Sequence, residues 1–322
     1  MMSDLSENAP VIVICGPTAS GKTGLVCRLA RQFKIEVVSA DSRQVYRLMD
    51  IGTAKPSFEE QETVPHHLID IVNPDEPFSV ADFVEKGRAA IAAILSRNHL
   101  PVVVGGTGLY IRALIDGLID APAADDLLRQ RLLGYEQEEG EGALYRRLQQ
   151  VDPEQAQIIH PNNQVRIIRA IEVFELGGVP LSLLQKRHAF NDSPYRLLKL
   201  YLNPPRPLLG ERIDQRVEQM ISDGLFVEVQ SLLDCGYSPD LKALKTIGYR
   251  ESIRYLLREY TTDEASARIK LETRQYARRQ ETWFKKEKSI ISVDSSGETD
   301  TISTMIECFL MEKRSGYGQD TF

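Results

Sequence analysis

The sequence predicts an α/β protein in which a parallel sheet flanked by helices is interrupted by a helical block. Three observations lead there. Short β-branched runs alternate with helical stretches through the first third of the chain, the pattern of parallel βαβ units. From about Asp116 to Pro194 the strand signals vanish, and segments rich in Leu, Gln, Arg and Glu take over. Sheet-like texture then returns at Leu197–Leu202 and at Ile290–Val293. A length of 322 residues fits about two domains. The expected division is a core made of residues 1–115 and 196–322, with 116–195 as the insertion; two sequential domains are the alternative.

Element by element, Val11–Cys15 reads as a buried strand and Glu36–Ala40 as a second. Leu68–Val72 is a weaker strand candidate, and Pro101–Val104 a further short one. Ser79 and Asp82 form a capping-box pattern, and Val84, Gly87, Ile91, Ile94 and Leu95 after them keep a helical stripe. In the helical block Pro153, Pro161 and the GGVP run at 177–180 act as stops and starts.

Composition narrows the class. Apolar residues make up 42% and charged residues 26%, as in soluble globular chains. The longest apolar runs are far short of a membrane span. The polar start, with Asp4 and Glu7, lacks the basic and apolar stretches of a secretory signal, so a cytoplasmic protein with no membrane contact is expected. Four scattered cysteines offer neither a disulfide framework nor a CxxC metal site. The net charge of −7 gives no global attraction to nucleic acid. Locally, Arg268 to Lys288 holds eight basic residues against three glutamates, with Tyr276, Trp283 and Phe284 interleaved. That stretch reads either as a solvated helix face over an aromatic core stripe or as a phosphate-contacting surface.

The most specific motif is GPTASGKT at 16–23, which fits GxxxxGK[ST] between a β-run and a helical stretch. Glycines let backbone N–H groups converge on phosphate oxygens, and the helix N-terminus adds positive potential. Lys22 adds a full charge, and Thr23 can ligate Mg²⁺. A P-loop NTPase-like core follows from this placement. A nucleotide hydrolase or kinase ordinarily carries an acid at the end of a later apolar strand to hold Mg²⁺. Here Val102–Val104 runs instead into Gly105, Gly106, Thr107 and Gly108, which offer a hydroxyl and exposed backbone, or simply a tight turn. Asp41 follows the second strand directly, where strand ends face the ligand crevice of an open α/β sheet. It reads as a catalytic or metal-binding acid, or as a turn residue. His66 and His67 lack a third ligand at metal spacing and read as structural.

Taken in order, GPTASGKT (16–23), DSRQVY (41–46), DIGTAKP (50–56), HHLID (66–70), GGTGLY (105–110), KTIGYR (245–250) and TRQYARRQETWF (273–284) resemble the tRNA dimethylallyltransferases, also called tRNA isopentenyltransferases. The resemblance spans nearly the whole chain. It implies transfer of a dimethylallyl group from dimethylallyl diphosphate to the exocyclic N6 amine of the adenine just 3′ of a tRNA anticodon, with release of diphosphate and with Mg²⁺ assisting. The phosphate motif would then hold a substrate's diphosphate rather than ATP, which accounts for the missing acid.

Site residues follow from the same resemblance. Asp41 matches the general base and Thr107 the threonine beside the reacting carbon. Gly16, Thr18, Ala19, Ser20, Gly21, Lys22 and Thr23 match the diphosphate cradle, with Arg216 of the RIDQR run (212–216) joining it. The tRNA contacts match Asp41, Ser42, Arg43 and Gln44; Thr107; Arg129; Gln164, Val165, Arg166, Ile167 and Ile168; and Lys245, Thr246, Ile247, Gly248, Tyr249 and Arg250. On a helix, Val165 and Ile168 are expected to face a core while Arg166 and Arg169 point elsewhere. The helical block would grip the anticodon arm. Past Phe284 the chain has only Cys308 and no His, so no zinc is expected, and a bacterial-type, monomeric member is. A P-loop kinase, a transferase acting on free adenine nucleotides and a non-enzymatic RNA-binding protein are the competing readings.

Overall fold

The computed structural model describes residues 8–188, 194–287, 289–294 and 299–312. The sequence readings at residues 1–7 and at Lys288 lie outside the described residues. In chain order the elements begin β1 (Ala9–Cys15), α1 (Lys22–Leu29), β2 (Ile35–Ala40), α2 (Phe58–Thr63), β3 (His66–His67), α3 (Val80–Ser96), β4 (Leu100–Gly105) and α4 (Gly108–Asp116). Five described helices come next: α5 (Asp126–Glu139), α6 (Ala143–Val151), α7 (Pro153–Ile158), α8 (Gln164–Gly177) and α9 (Leu181–His188). The chain ends with β5 (Tyr195–Leu202), α10 (Arg206–Ser222), α11 (Leu225–Asp234), α12 (Tyr249–Leu256), α13 (Thr262–Phe284), β6 (Ile290–Val293) and α14 (Thr299–Met311). Two compact units result, one of Met1–Ile115 with Pro194–Phe322 and one of Asp116–Ser193.

The first unit is built on a six-stranded parallel sheet of order β3-β2-β4-β1-β5-β6, the α/β core that the sequence predicts. β1 is central, and its residues alternate between two apolar layers. Val11, Val13 and Cys15 join one cluster with Phe83, Ile91 and Leu114, while Ile12 and Ile14 join another with Leu25, Leu29 and Ile306. A strand covered on both faces needs apolar residues at every position, which is why this segment reads VIVIC. Each such side chain contributes about 1.5–3 kcal/mol when fully buried. Register aligns the strand ends: Cys15 pairs with both Gly105 and Tyr201, and Gly105 pairs with Ala40. The loops after β1, β2, β4 and β5 therefore leave the sheet at one level.

One strand falls elsewhere than predicted. Leu68–Val72 is not a strand, apart from an isolated bridge between Val72 and Tyr46; the edge strand is His66–His67 itself. The two histidines are structural. His66 Nδ1 lies 2.7 Å from the Val64 carbonyl, and His67 Nε2 lies 2.7 Å from Glu36. The capping box of Ser79 and Asp82 opens α3 as predicted, and Phe83, Val84, Gly87, Ile91 and Ile94 form its buried face.

The second unit packs Leu128, Leu132, Leu144, Leu148, Ile167, Ile168 and Ile171 into its own core. Val165 is corrected here. It is 81% exposed, because the buried seam of α8 runs through Ile167 and Ile171, and Val165 lies about 200° round the helix from Ile167. Glu172 is fully buried and accepts from the Asp125 N–H and from both Arg129 and Arg169. A buried carboxylate is tolerable only with such partners.

Candidate active site

The loop between β1 and α1 forms a cradle. Gly21, at φ 89°, adopts the left-handed conformation that turns the chain into α1, a geometry glycine takes without a Cβ penalty. Ala19 shares that region at φ 62° and is held there by packing on Leu209, Ile213 and Ala277. Lys22 is half-buried, and its ammonium donates to the carbonyls of Gly16 (3.0 Å) and Pro17 (2.8 Å). Burial, with the nearby Arg216 guanidinium adding to it and Asp41 opposing it, lowers the ammonium pKa to about 8. Arg216 reaches across from α10 to donate to the Thr18 hydroxyl at 3.5 Å.

The ends of β2 and β4 are joined beside the cradle. The Thr107 N–H donates to the Ala40 carbonyl at 3.3 Å, and the Ser42 N–H donates to the Thr107 hydroxyl at 3.3 Å. Asp41 sits between these links, with Oδ1 accepting from the Arg43 N–H at 2.8 Å. Its side chain lines one cavity of about 690 Å³ together with Thr18–Gly24, Ser42–Gln44, Arg216 and Lys245–Gly248. Residues from distant parts of the sequence thus meet in one space.

Not every predicted position does so. Gly16 lies beneath the cradle, offering its carbonyl to Lys22. Tyr249 is completely buried and its hydroxyl donates to Glu228 at 2.6 Å, so its side chain anchors the start of α12 and does not line the cavity. Glu228 also accepts from the N–H groups of Asp50, Ile51 and Gly52, so it fixes the loop that brings Gly52–Lys55 to the cavity. Arg250 pairs with Glu251. Within the second unit, Gln164, Val165 and Arg166 are exposed, Ile167 and Ile168 are buried, and Arg129 lies half-exposed against Glu172.

Helix α13 contributes what the sequence reading missed. Its residues Thr273, Tyr276, Arg279 and Gln280 line the cavity. The Tyr276 phenol interacts with the Thr107 hydroxyl, and burial, with Asp41 adding to it, raises its pKa to about 12. Gln280 accepts from the Thr18 N–H and donates to the Gly106 carbonyl. Trp283 packs on Gly108, where a Cβ would come within 2.2 Å of its ring. Two of the eight basic residues of the stretch are paired outside the cavity: Lys270 with Glu218, and Arg274 with Asp214.

A family profile described as IPP transferase matches residues 44–287, and one described as isopentenyl transferase matches residues 9–70. The chain belongs to the tRNA dimethylallyltransferase family. It is 55% identical to tRNA dimethylallyltransferase 1 of Syntrophotalea carbinolica, over 94% of this chain and 97% of that one. It is 50% identical to the tRNA dimethylallyltransferase of Geobacter metallireducens, over 94% and 98%. Among solved structures of the family, the full-length tRNA isopentenylpyrophosphate transferase of Bacillus halodurans is 39% identical, covers 95% of this chain and 98% of that one, and has a TM-score of 0.71. A eukaryotic dimethylallyltransferase acting on tRNA is 28% identical, with a TM-score of 0.80 over 95% of this chain and 80% of that one. These dimethylallyltransferase-family structures share the P-loop NTPase-like fold of this chain.

Proposed function

We infer that this chain transfers a dimethylallyl group from dimethylallyl diphosphate to the N6 amine of the adenine 3′-adjacent to a tRNA anticodon. The observation that carries this reading is one cavity lined by a phosphate cradle, the Asp41 carboxylate and Gly106, whose neighbour Thr107 is tied to the cavity wall through Ser42, with no acid at the end of β4. In the transfer, the bond from the prenyl carbon to the diphosphate oxygen breaks and a bond from that carbon to N6 forms. The amine proton passes to Asp41, which helps because the ring delocalises the amine's lone pair. The loop amides, Lys22 and Arg216 neutralise the charge that grows on the departing diphosphate. The Thr107 hydroxyl, which accepts from Ser42 and pairs with the Tyr276 phenol, would donate to a diphosphate oxygen by turning its one proton from Tyr276 to the leaving group.

Mg²⁺ fits the donors present. The Thr23 hydroxyl and the Asp41 carboxylate line the same cavity, and Mg²⁺ takes hard oxygen ligands, often only one or two from protein with the rest from phosphate and water. Thr23 would hold it, and the ion would supply Lewis-acid neutralisation of the diphosphate. Exposed Gln164, Val165, Arg166 and half-exposed Arg129 are the second unit's proposed RNA contacts. Bases in an anticodon loop can be splayed out for reading more cheaply than duplex bases. No helix among the described residues is long and apolar enough to cross a membrane, and we place the activity in the cytoplasm with its tRNA substrate.

The test is incubation of the purified chain with Mg²⁺, dimethylallyl diphosphate and unmodified bulk tRNA, followed by nucleoside mass spectrometry. Parallel reactions replace tRNA with AMP or ATP. Prenylated adenosine is expected from the tRNA digest alone. Product only from free nucleotides, or ATP consumption without any prenylation, overturns the reading.

A further inference from the structure

Gln280 is 6% exposed, and both ends of its amide are engaged. Oε1 accepts from the Thr18 N–H at 2.9 Å, and Nε2 donates to the Gly106 carbonyl at 2.9 Å. Those partners lie 262 and 174 residues away in sequence, on the cradle and on the turn after β4. A primary amide is the side-chain group suited to this bridge, since it presents an acceptor to an N–H and a donor to a C=O at once. The fit is close: a Cβ on Gly106 would come within 2.1 Å of Nε2, so residue 106 has no side chain because the amide occupies its place. Buried Ala277 and Phe284 flank Gln280 on α13 and fix the helix face that delivers it.

We propose that Gln280 is a positioning residue for the transfer, setting the spacing between the diphosphate cradle and the turn that carries Thr107. Resting on the function proposed above, this assigns Gln280 no contact with either substrate. It acts through Thr18 on one side and through Gly106, the neighbour of Thr107, on the other. Spacing matters because reacting groups displaced by about 1 Å cost on the order of 10²-fold in rate.

The experiment compares the full-length wild type with Gln280→Met, which keeps the side-chain volume but lacks both hydrogen bonds. It adds Thr107→Ala and the double variant. Gln280→Met is expected to lower kcat by about 10- to 100-fold, with KM for tRNA within about twofold of wild type. The double variant should lose little more than the worse single variant, because both substitutions break one arrangement. Wild-type kcat in Gln280→Met would show that Gln280 only fills space. Fully additive losses would show that it acts apart from Thr107, and either result overturns the proposal. The wild type separates this from the larger reading: no product from the wild type overturns the proposed function and this inference with it, whereas a normal wild type beside an unimpaired Gln280→Met overturns the inference alone.

Discussion

The hydroxyl of Thr107 accepts a hydrogen bond from the Ser42 N–H at 3.3 Å, so the turns after β2 and β4 behave as one piece. Asp41 is carried on that piece, one residue before Ser42, and lines the same cavity as the loop that joins β1 to α1. The placement suits a carboxylate that takes a proton while a hydroxyl attends the leaving group, and it makes both side chains individually testable.

Asp41→Asn keeps the shape and removes the base. Turnover is expected to fall about 10²- to 10⁴-fold, with inorganic diphosphate binding retained. Steady-state kinetics and calorimetry check this. Survival of kcat with a collapse of substrate affinity would make Asp41 a binding residue.

Gly52→Ala is expected to destabilise the protein by about 1–3 kcal/mol. A Cβ there would meet the buried Tyr249 ring at 2.3 Å. Glu228→Ala should cost a similar amount, about 1–3 kcal/mol, because three loop N–H groups and the Tyr249 hydroxyl lose their acceptor. Denaturant unfolding of the two variants measures both effects, and wild-type midpoints would remove Glu228 and Tyr249 from the account of this loop.

Much of this architecture is legible in the sequence, for physical reasons. VIVIC and the runs around Glu36–Ala40 and Val102–Val104 announce buried parallel strands because such strands need apolar residues at every position. GPTASGKT announces the loop between β1 and α1, where Gly21 takes a positive φ that residues with a Cβ avoid. β3 was not legible: two polar histidines pairing with Val37 and Val38 carry no apolar alternation, so the neighbouring Leu68–Val72 drew the assignment. Spacing alone puts Val165 and Ile168 on one face of α8 but does not say where the centre of the buried seam lies, and Val165 falls outside it. The role of α13 was hidden for another reason. Tyr276, Gln280 and Trp283 share a face, but what that face touches is decided by partners far away in sequence.

Lys22 predicts a pH dependence for diphosphate binding. Its pKa is lowered to about 8 in the free protein, chiefly by burial, and a bound anion favours the charged ammonium and raises it. Below about 8 the lysine is already charged, so this contribution to affinity is flat. Above about 8 binding must take up a proton, and affinity should fall by about tenfold per pH unit until the bound-state pKa is reached. Calorimetry in buffers of different ionisation enthalpy detects the uptake. Affinity independent of pH between 8 and 9.5 would contradict it.

Glu36 predicts acid sensitivity. Its carboxylate accepts two hydrogen bonds from Arg97 and is contacted by His67 and His99. The Arg97 hydrogen bond leads in lowering its pKa from 4.5 to about 2, against the opposing effect of burial. A carboxylate depressed in the fold contributes stability that is complete above its unfolded value and is lost as pH falls through its folded value. Stability should therefore decline between pH 4.5 and about 2. Glu36→Gln should remove that part of the slope, as read by denaturant midpoints across the range; an unchanged slope would assign the acid sensitivity to other groups.

On the proposed function, the loop between β1 and α1 holds a prenyl diphosphate and not a nucleotide awaiting hydrolysis. Calorimetric titration with dimethylallyl diphosphate and, separately, with ATP, both with Mg²⁺, tests it most directly when run on the wild type and on Lys22→Ala. Dimethylallyl diphosphate is expected to bind the wild type and to bind Lys22→Ala at least about tenfold more weakly, with no hydrolysis of ATP. Tight ATP binding with turnover to ADP, together with dimethylallyl diphosphate affinity indifferent to Lys22, would contradict it.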